Sequence, residues 1–488
     1  MPSLFERHRL LWIFLFAGAA LGIYFLLPAS LSPISDASGL SASGRTVTSI
    51  AALMAILWVT EMLPLAVTAL LPLVLFPLFG TATPQEASTS YADRTIFLFF
   101  GGFILAAAMQ QWNLHQRFAL TTLSFVGPKL GRIVAAFMAV TAFISLWVSN
   151  TATAAMMFPI ALSTIELFER HAPEQTSTAR RFSVCMMLGI AYAASIGGLG
   201  TLIGTAPNAL FAAFVHAEYG TTISFRSWLT VGLPLVVLLL PFTWLILTKI
   251  AFRLPRHAAI PESAGALSAH RNLGPITPPE RMTLAVFVIT AGLWIFRLPL
   301  EHLIPYFARV DDAGIAMAAA LACFALPACD GKGSRLIPWN AVEKIPWGVL
   351  LLLGGGLSLA KGLSQHGVTT YVSHHVASLQ HLPPFLLILL VAALTLVITE
   401  FASNTATAAT LFPLLAALAA GMNVNPYLLL IPATLASSCG FMMPAGTPPN
   451  AIIFASNRLT VKDMCKAGIL IDLLAIVLIS IVAFFFAA

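Results

Sequence analysis

Charge is what this chain lacks most. Asp, Glu, Lys and Arg together make up 9% of its 488 residues, against 59% hydrophobic residues. An ordinary soluble domain carries about 25% charged residues, so a chain of this size could not cover its surface with so few. The same scarcity excludes disordered, collagen-like and coiled-coil classes. Cysteine is sparse too. The five (Cys185, Cys323, Cys329, Cys439 and Cys465) have neither CxxC nor metal-finger spacing and read as small buried hydrophobes. No Walker-type GxxxxGK[ST] occurs, which leaves an ATP-driven pump without support. The net charge of +6 is scattered over short loops, so it does not point to nucleic acid.

What is present is long, unbroken apolar sequence. The apolar stretches exceed the alternating segments of about ten residues expected of a β-barrel. They predict an all-α polytopic membrane protein. Taking about 20 apolar residues per span, candidate spans fall near 10–30, 46–61, 62–80, 95–114, 182–216, 229–250, 282–300, 312–328, 346–362, 426–457 and 467–487. Arg7-His8-Arg9 ahead of the first run resembles a signal peptide, but the run is long enough to span and reads as an uncleaved helix. The expectation is about 11 transmembrane helices.

Two further stretches do not fit single spans. Residues 133–168 would form a helix of about 54 Å, against a hydrocarbon core of about 30 Å. Ser149-Asn150-Thr151 interrupts it, as Ser403-Asn404-Thr405 interrupts 384–415. Ser and Asn favour helix N-caps, so each triplet can end one half-helix and start another. Each stretch is therefore expected to be a re-entrant hairpin with its tip near mid-membrane. With the N-terminus inside and both hairpins returning to their own side, 19 of the 25 Lys and Arg lie inside. That bias is what the positive-inside rule asks for.

The chain also repeats. SNTATAAMMFP (149–159) matches SNTATAATLFP (403–413), and at the same spacing FGGFILA (100–106) matches GGGLSLA (354–360). Later, GTAPNA (204–209) matches GTPPNA (446–451). Five spans separate the hairpins, so they enter from opposite sides, as in the inverted-topology repeats of secondary transporters. The N-terminal half is expected at 1–252 and the C-terminal half at 282–488. The Pro- and Gly-rich linker 253–281, with Pro255, Pro261, Gly265 and Pro275, joins them on the cytoplasmic side.

These motifs have a physical use. A half-helix beginning at each SNT presents free N–H groups and a positive dipole end, which suits an anion. The GTAPN and GTPPN segments break helices through Pro207, Pro448 and Pro449 and free nearby carbonyls. Freed carbonyls with Ser, Thr and Asn oxygens form a hard cage suited to a small cation such as Na⁺. Neither hairpin carries a Lys or Arg near its tip, so a bound dianion would rely on amides, hydroxyls and co-bound cations. Glu61 and Glu400 are candidate intramembrane acids, for coupling or for structure. His366, His374, His375 and His381 lack neighbouring carboxylates, and Lys361 reads as a substrate contact or a snorkelling stem.

Together WVTEMLP, FLFFGGFILAAAM, both SNT hairpins, GTAPN and GTPPN resemble the divalent anion/sodium symporter family over nearly the whole chain. The resemblance implies homodimers that move substrate by an elevator-like motion, with Na⁺ as coupling ion, no cofactor and no catalytic residue. It implies one Na⁺ site at Ser145, Ser149, Asn150 and Gly204, and a second at Thr399, Ala402, Asn404 and Gly446. Substrate carboxylates would meet Asn150, Thr151, Thr205, Ser403, Asn404, Thr405, Thr447 and Pro448. One departure is Ala206, where the second half has Pro448 and the family often has Pro in both loops. The expected function is Na⁺-coupled symport of C4-dicarboxylates such as succinate, malate and fumarate, in a bacterial inner membrane with a cytoplasmic N-terminus. A dicarboxylate exchanger, or a sulfate or citrate transporter, is the alternative. A channel fits the helix count but not paired hairpins, and an intramembrane enzyme would need an acid pair, Ser–His or metal set that the spacing does not supply.

Overall fold

The computed structural model describes residues 9–30, 39–124, 127–171, 174–255, 257–259, 274–331, 333–376 and 382–487. His381, and Pro261 and Gly265 of the linker, lie outside them. Helix is the only extended secondary structure among the described residues, which otherwise show a few isolated β-bridges. In hydrocarbon every backbone N–H and C=O needs an internal partner, and helices supply it within one segment.

Among the described residues eight helices are long and apolar enough to cross a membrane, or nine if the pair Pro278–Ile295 and Arg297–Leu303, bent by 76°, counts as one. Several expected spans are shorter or broken. Residues 62–80 fold as Leu65–Thr68 and Leu71–Leu78. The stretch 182–216 becomes Thr176–Gly198 and Ala206–Tyr219, and 426–457 becomes Tyr427–Ser437 and Pro448–Phe454. The cause of both breaks is in the GTxPN loops, where Pro occupies the first turn of the following helix and removes an N–H that the previous turn would need.

The two long stretches break where the triplets stand. The first gives helices Leu130–Ser145 and Asn150–His171, the second Pro384–Thr399 and Asn404–Gly421. Ser149 Oγ accepts from Ala152 N at 3.4 Å and so caps its helix, whereas Ser403 makes no side-chain cap.

Helix Thr176–Gly198 is the centre of the packing, with 94% of its apolar window buried. Small residues let its neighbours approach, as membrane helices require. A Cβ at Gly197 would lie 2.3 Å from the Ala142 carbonyl of the first hairpin. The paired GG motifs serve the same purpose. A Cβ at Gly101 would sit 2.5 Å from the Ala316 backbone, and one at Gly355 2.2 Å from the Ala69 carbonyl. Glu169 and Arg458, at 2.6 Å, tie the second arm of the first hairpin to the C-terminal half.

Candidate functional site

A cavity of about 730 Å³ lies where both hairpin tips and both broken loops meet. All eight substrate candidates line it. Asn150 and Thr151 come from one tip and Ser403, Asn404 and Thr405 from the other. Thr205 comes from the first loop, and Thr447 and Pro448 from the second. Ala206 lines it as well, so the first loop reaches the cavity without a second proline. Four helices begin here, at Asn150, Ala206, Asn404 and Pro448. The positive dipole ends of these helices, with free N–H groups at the starts of those beginning at Asn150, Ala206 and Asn404, make the cavity a place for negative charge; the helix at Pro448 begins with two prolines and offers none.

Behind each tip is an oxygen cage. The inward terminal atom of the Asn150 amide is 2.8 Å from Ser145 Oγ, 3.0 Å from the Ala194 carbonyl and 3.3 Å from the Gly204 carbonyl. In the second half, the Asn404 amide is 2.9 Å from Thr399 Oγ1, 2.9 Å from the Ser437 carbonyl and 3.1 Å from the Gly446 carbonyl. The hydroxyls close each cage from the other side. Ser145 Oγ donates to Ala194 O, and Thr399 Oγ1 to Ser437 O, each at 2.6 Å. With Nδ2 turned inward each amide donates to its carbonyls. That orientation satisfies the hydrogen bonds; with Oδ1 inward the four oxygens would offer a hard cation a donor set free of N–H groups.

Six of the eight cation candidates stand in these cages: Ser145, Asn150 and Gly204, then Thr399, Asn404 and Gly446. Ser149 lines the cavity and caps a helix instead, and Ala402 is buried in the turn at 5% exposure. Neither is among the oxygens the amides reach. The Ala194 and Ser437 carbonyls were not foreseen. Both lie near the C-terminal ends of the broken helices, the negative dipole end, and that position was the available signal.

The Asn of each GTxPN loop is a brace. Asn208 Nδ2 donates to the carbonyls of Gly198, Leu199 and Thr201 at 3.1, 3.3 and 2.7 Å. Asn450 Nδ2 donates to those of Gly440 and Met443, each at 3.0 Å. Both side chains are fully buried.

One cation does reach the cavity. Lys344 is the only ionisable residue among those that line it, beside Gln110, Gln111 and Pro346. It ends the short helix Trp339–Lys344 and is exposed, which puts it at the mouth, away from the tips. Reasoning from the hairpins alone misses it, because the segment ahead of the second GG helix delivers it. Lys361 stands elsewhere, in a small pocket with Glu86 and His366. Glu61 is exposed at the end of helix Ala42–Thr60. Glu400 is buried, and its oxygens accept from the backbone N–H groups of Phe441, Met442 and Met443 at 2.7, 2.9 and 2.8 Å.

The family described as the sodium:sulfate symporter transmembrane region matches residues 8–487. The chain belongs to that family. It is an integral membrane protein and a transporter by family, not an enzyme. A sodium-dependent dicarboxylate transporter of Staphylococcus saprophyticus is 39% identical over 450 residues, covering 91% of this chain and 86% of that one. Its counterpart in Staphylococcus aureus is 39% identical over 433 residues, covering 88% and 83%. Two solved structures share the fold. The YdaH transporter of Alcanivorax borkumensis superposes with a TM-score of 0.57 at 14% identity, covering 98% of this chain and 97% of that one. MtrF of Neisseria gonorrhoeae gives 0.56 at 13%, covering 97% and 93%.

Proposed function

We propose that this chain is a Na⁺-coupled symporter of C4-dicarboxylates. The observation that carries the reading is the pair of matched oxygen cages behind a single cavity lined by four helix N-termini. The names of the 39% identical relatives support the same substrate and ion. Na⁺ in either cage turns Asn Oδ1 toward the ion and leaves Nδ2 free to face the cavity. There it donates to a carboxylate, beside Thr151 and Thr205 in one half and Thr405 and Thr447 in the other. Two carboxylates, one per tip, match a C4 dianion. Desolvating that dianion is costly without the cations, so ion and substrate each raise the other's affinity.

In this reading 1–252 and 282–488 form an inverted repeat joined by 253–281, with hairpin bases on opposite membrane faces. The protein is a homodimer in a bacterial inner membrane, its N-terminus cytoplasmic, and each protomer carries substrate across by an elevator-type movement. Uptake of labelled succinate into proteoliposomes tests the reading. A Na⁺ gradient should drive accumulation, and replacing Na⁺ with K⁺ should abolish it. Uptake that ignores Na⁺ but is accelerated by internal succinate would instead make the protein an exchanger.

A further inference from the structure

A second cavity, of about 490 Å³, lies away from the transport site, where three helix ends meet. Helix Thr176–Gly198 begins there with Arg180 and Arg181, helix Val461–Ala487 begins there with Asp463 and Lys466, and Arg253 follows the end of the π-helical turn Ile246–Ala251. These ends stand on the face that the Lys and Arg count assigns to the cytoplasm. Four cations against one acid is unusual in a chain with 9% charged residues.

The acid is already engaged. Asp463 Oδ2 accepts from Thr460 N and Oγ1 at 3.0 and 2.7 Å as a helix cap, and it lies 3.5 Å from Arg180. Arg181 donates to the Arg253 carbonyl at 3.5 Å, and Lys466 Nζ stands 5.4 Å from the Phe252 ring centroid. Neither contact neutralises charge. Arg181, Arg253 and Lys466 have no ion-pair partner among the described residues, and all three are exposed. Beside them the protein presents apolar surface, with Ile250, Ile469 and Leu473 at 55%, 50% and 58% exposure. Ile469 and Leu473 continue the helix face of Lys466 into the membrane.

We propose that this pocket binds a phosphate-bearing anion, with Arg181, Arg253 and Lys466 as its ligands. Arginine forks match phosphate oxygens in pairs, and the helix N-termini at Thr176 and Val461 add positive dipole ends. Basic pockets between membrane helices on the cytoplasmic side suit the headgroups of anionic phospholipids, and the apolar strip gives an acyl chain a path. A soluble phosphate would use the same ligands without the strip.

The test uses the purified full chain and reads binding, so it is independent of uptake. After delipidation, the protein is given equal amounts of phosphatidylglycerol and phosphatidylcholine with identical chains, and retained lipid is identified by mass spectrometry. The wild type should retain phosphatidylglycerol selectively. Retention should fall roughly fivefold for each of Arg181→Gln, Arg253→Gln and Lys466→Gln. Charge-matched single controls, Arg132→Gln, Arg170→Gln and Arg281→Gln, should each behave as wild type. In a parallel arm, inorganic phosphate without lipid is titrated against thermal stability. Selective lipid retention identifies a headgroup site, and stabilisation by inorganic phosphate that also displaces the lipid identifies a soluble ligand. A wild type that shows neither response overturns the proposal, whatever the variants do. So does a control that loses lipid as readily as the pocket variants, because the attraction would then be diffuse.

Discussion

The two halves bring the same motif to one cavity, but they secure it differently. In the first half the loop packs hard against the end of helix Thr176–Gly198, and that end packs against the hairpin. A Cβ at Gly204 would lie 2.5 Å from the Gly198 carbonyl, and one at Gly198 2.2 Å from the Asn150 side chain. In the second half a Cβ at Gly446 would meet nothing closer than 3.4 Å. The first loop is tied by neutral groups. The Thr201 hydroxyl donates to the Leu146 carbonyl and accepts from Gly204 N. The second is tied by Glu400, which stands where Leu146 stands in the first half and receives three backbone N–H groups. The duplicated motif thus surrounds its Asn amide with the same kinds of oxygen in both halves while its supports differ, because many arrangements can hold a loop still.

That comparison breaks most visibly at the glycines. Gly204→Ala should reduce succinate uptake roughly 100-fold or prevent folding, since overpacking against backbone costs about 1–3 kcal/mol or more. Gly446→Ala should keep at least about a third of wild-type uptake. Equal losses, with expression followed by size-exclusion chromatography, would mean that the loops are packed alike. Next come the tips. Asn150→Ala and Asn404→Ala should each weaken uptake about 5- to 150-fold, because each removes a half-buried polar group that faces both the oxygen cluster and the cavity. Near-normal uptake by either would leave that half without a transport role.

The supports should separate in stability. Glu400→Gln keeps the shape but turns an NH₂ toward backbone donors, which should cost about 1–3 kcal/mol. Thr201→Val should cost about 1 kcal/mol. Thermal denaturation in detergent compares them, and a larger loss at Thr201 would reverse the assignment. The smallest effect is expected at Lys344, which belongs to neither repeat motif. Lys344→Gln should raise the KM for succinate a few-fold at low salt and leave kcat unchanged, as expected for steering at a cavity mouth. The difference should fade as ionic strength rises, because an exposed charge is screened. A change in kcat would place Lys344 in the transport cycle itself.

Much of the site is legible in the sequence. The eight substrate candidates share a cavity because they belong to two duplicated motifs whose helix-breaking residues force them to the ends of half-helices. Of the six cation candidates around the amides, Asn150, Gly204, Asn404 and Gly446 belong to the same motifs, whereas Ser145 and Thr399 lie outside them and rest on the family resemblance. Ser149 and Ala402, implied by the same family resemblance as the other six, are not among the oxygens that the amides reach. Asn208 and Asn450 carry polar side chains in the right motif, yet burial turns them inward as braces. Whether a buried amide binds a ligand or closes a loop depends on which carbonyls surround it, and spacing does not say. Hydropathy also overstates the spans, because it marks apolar length and does not register a helix that stops early, as Leu71–Leu78 does.

By itself the sequence determined the class, the repeat and the chemistry on offer. Apolar length requires helices that satisfy their own backbone, and a repeated Ser-Asn-Thr followed by a repeated Gly-Thr-Pro segment requires paired breaks. The tertiary structure decided which oxygens converge. The carbonyls of Ala194 and Ser437 join the cages from segments 44 and 33 residues away from Asn150 and Asn404. A main-chain carbonyl is the same group in every residue, so nothing in the identity of alanine or serine marks it as a ligand. Only the packing of one broken helix against one hairpin brings it to the Asn amide.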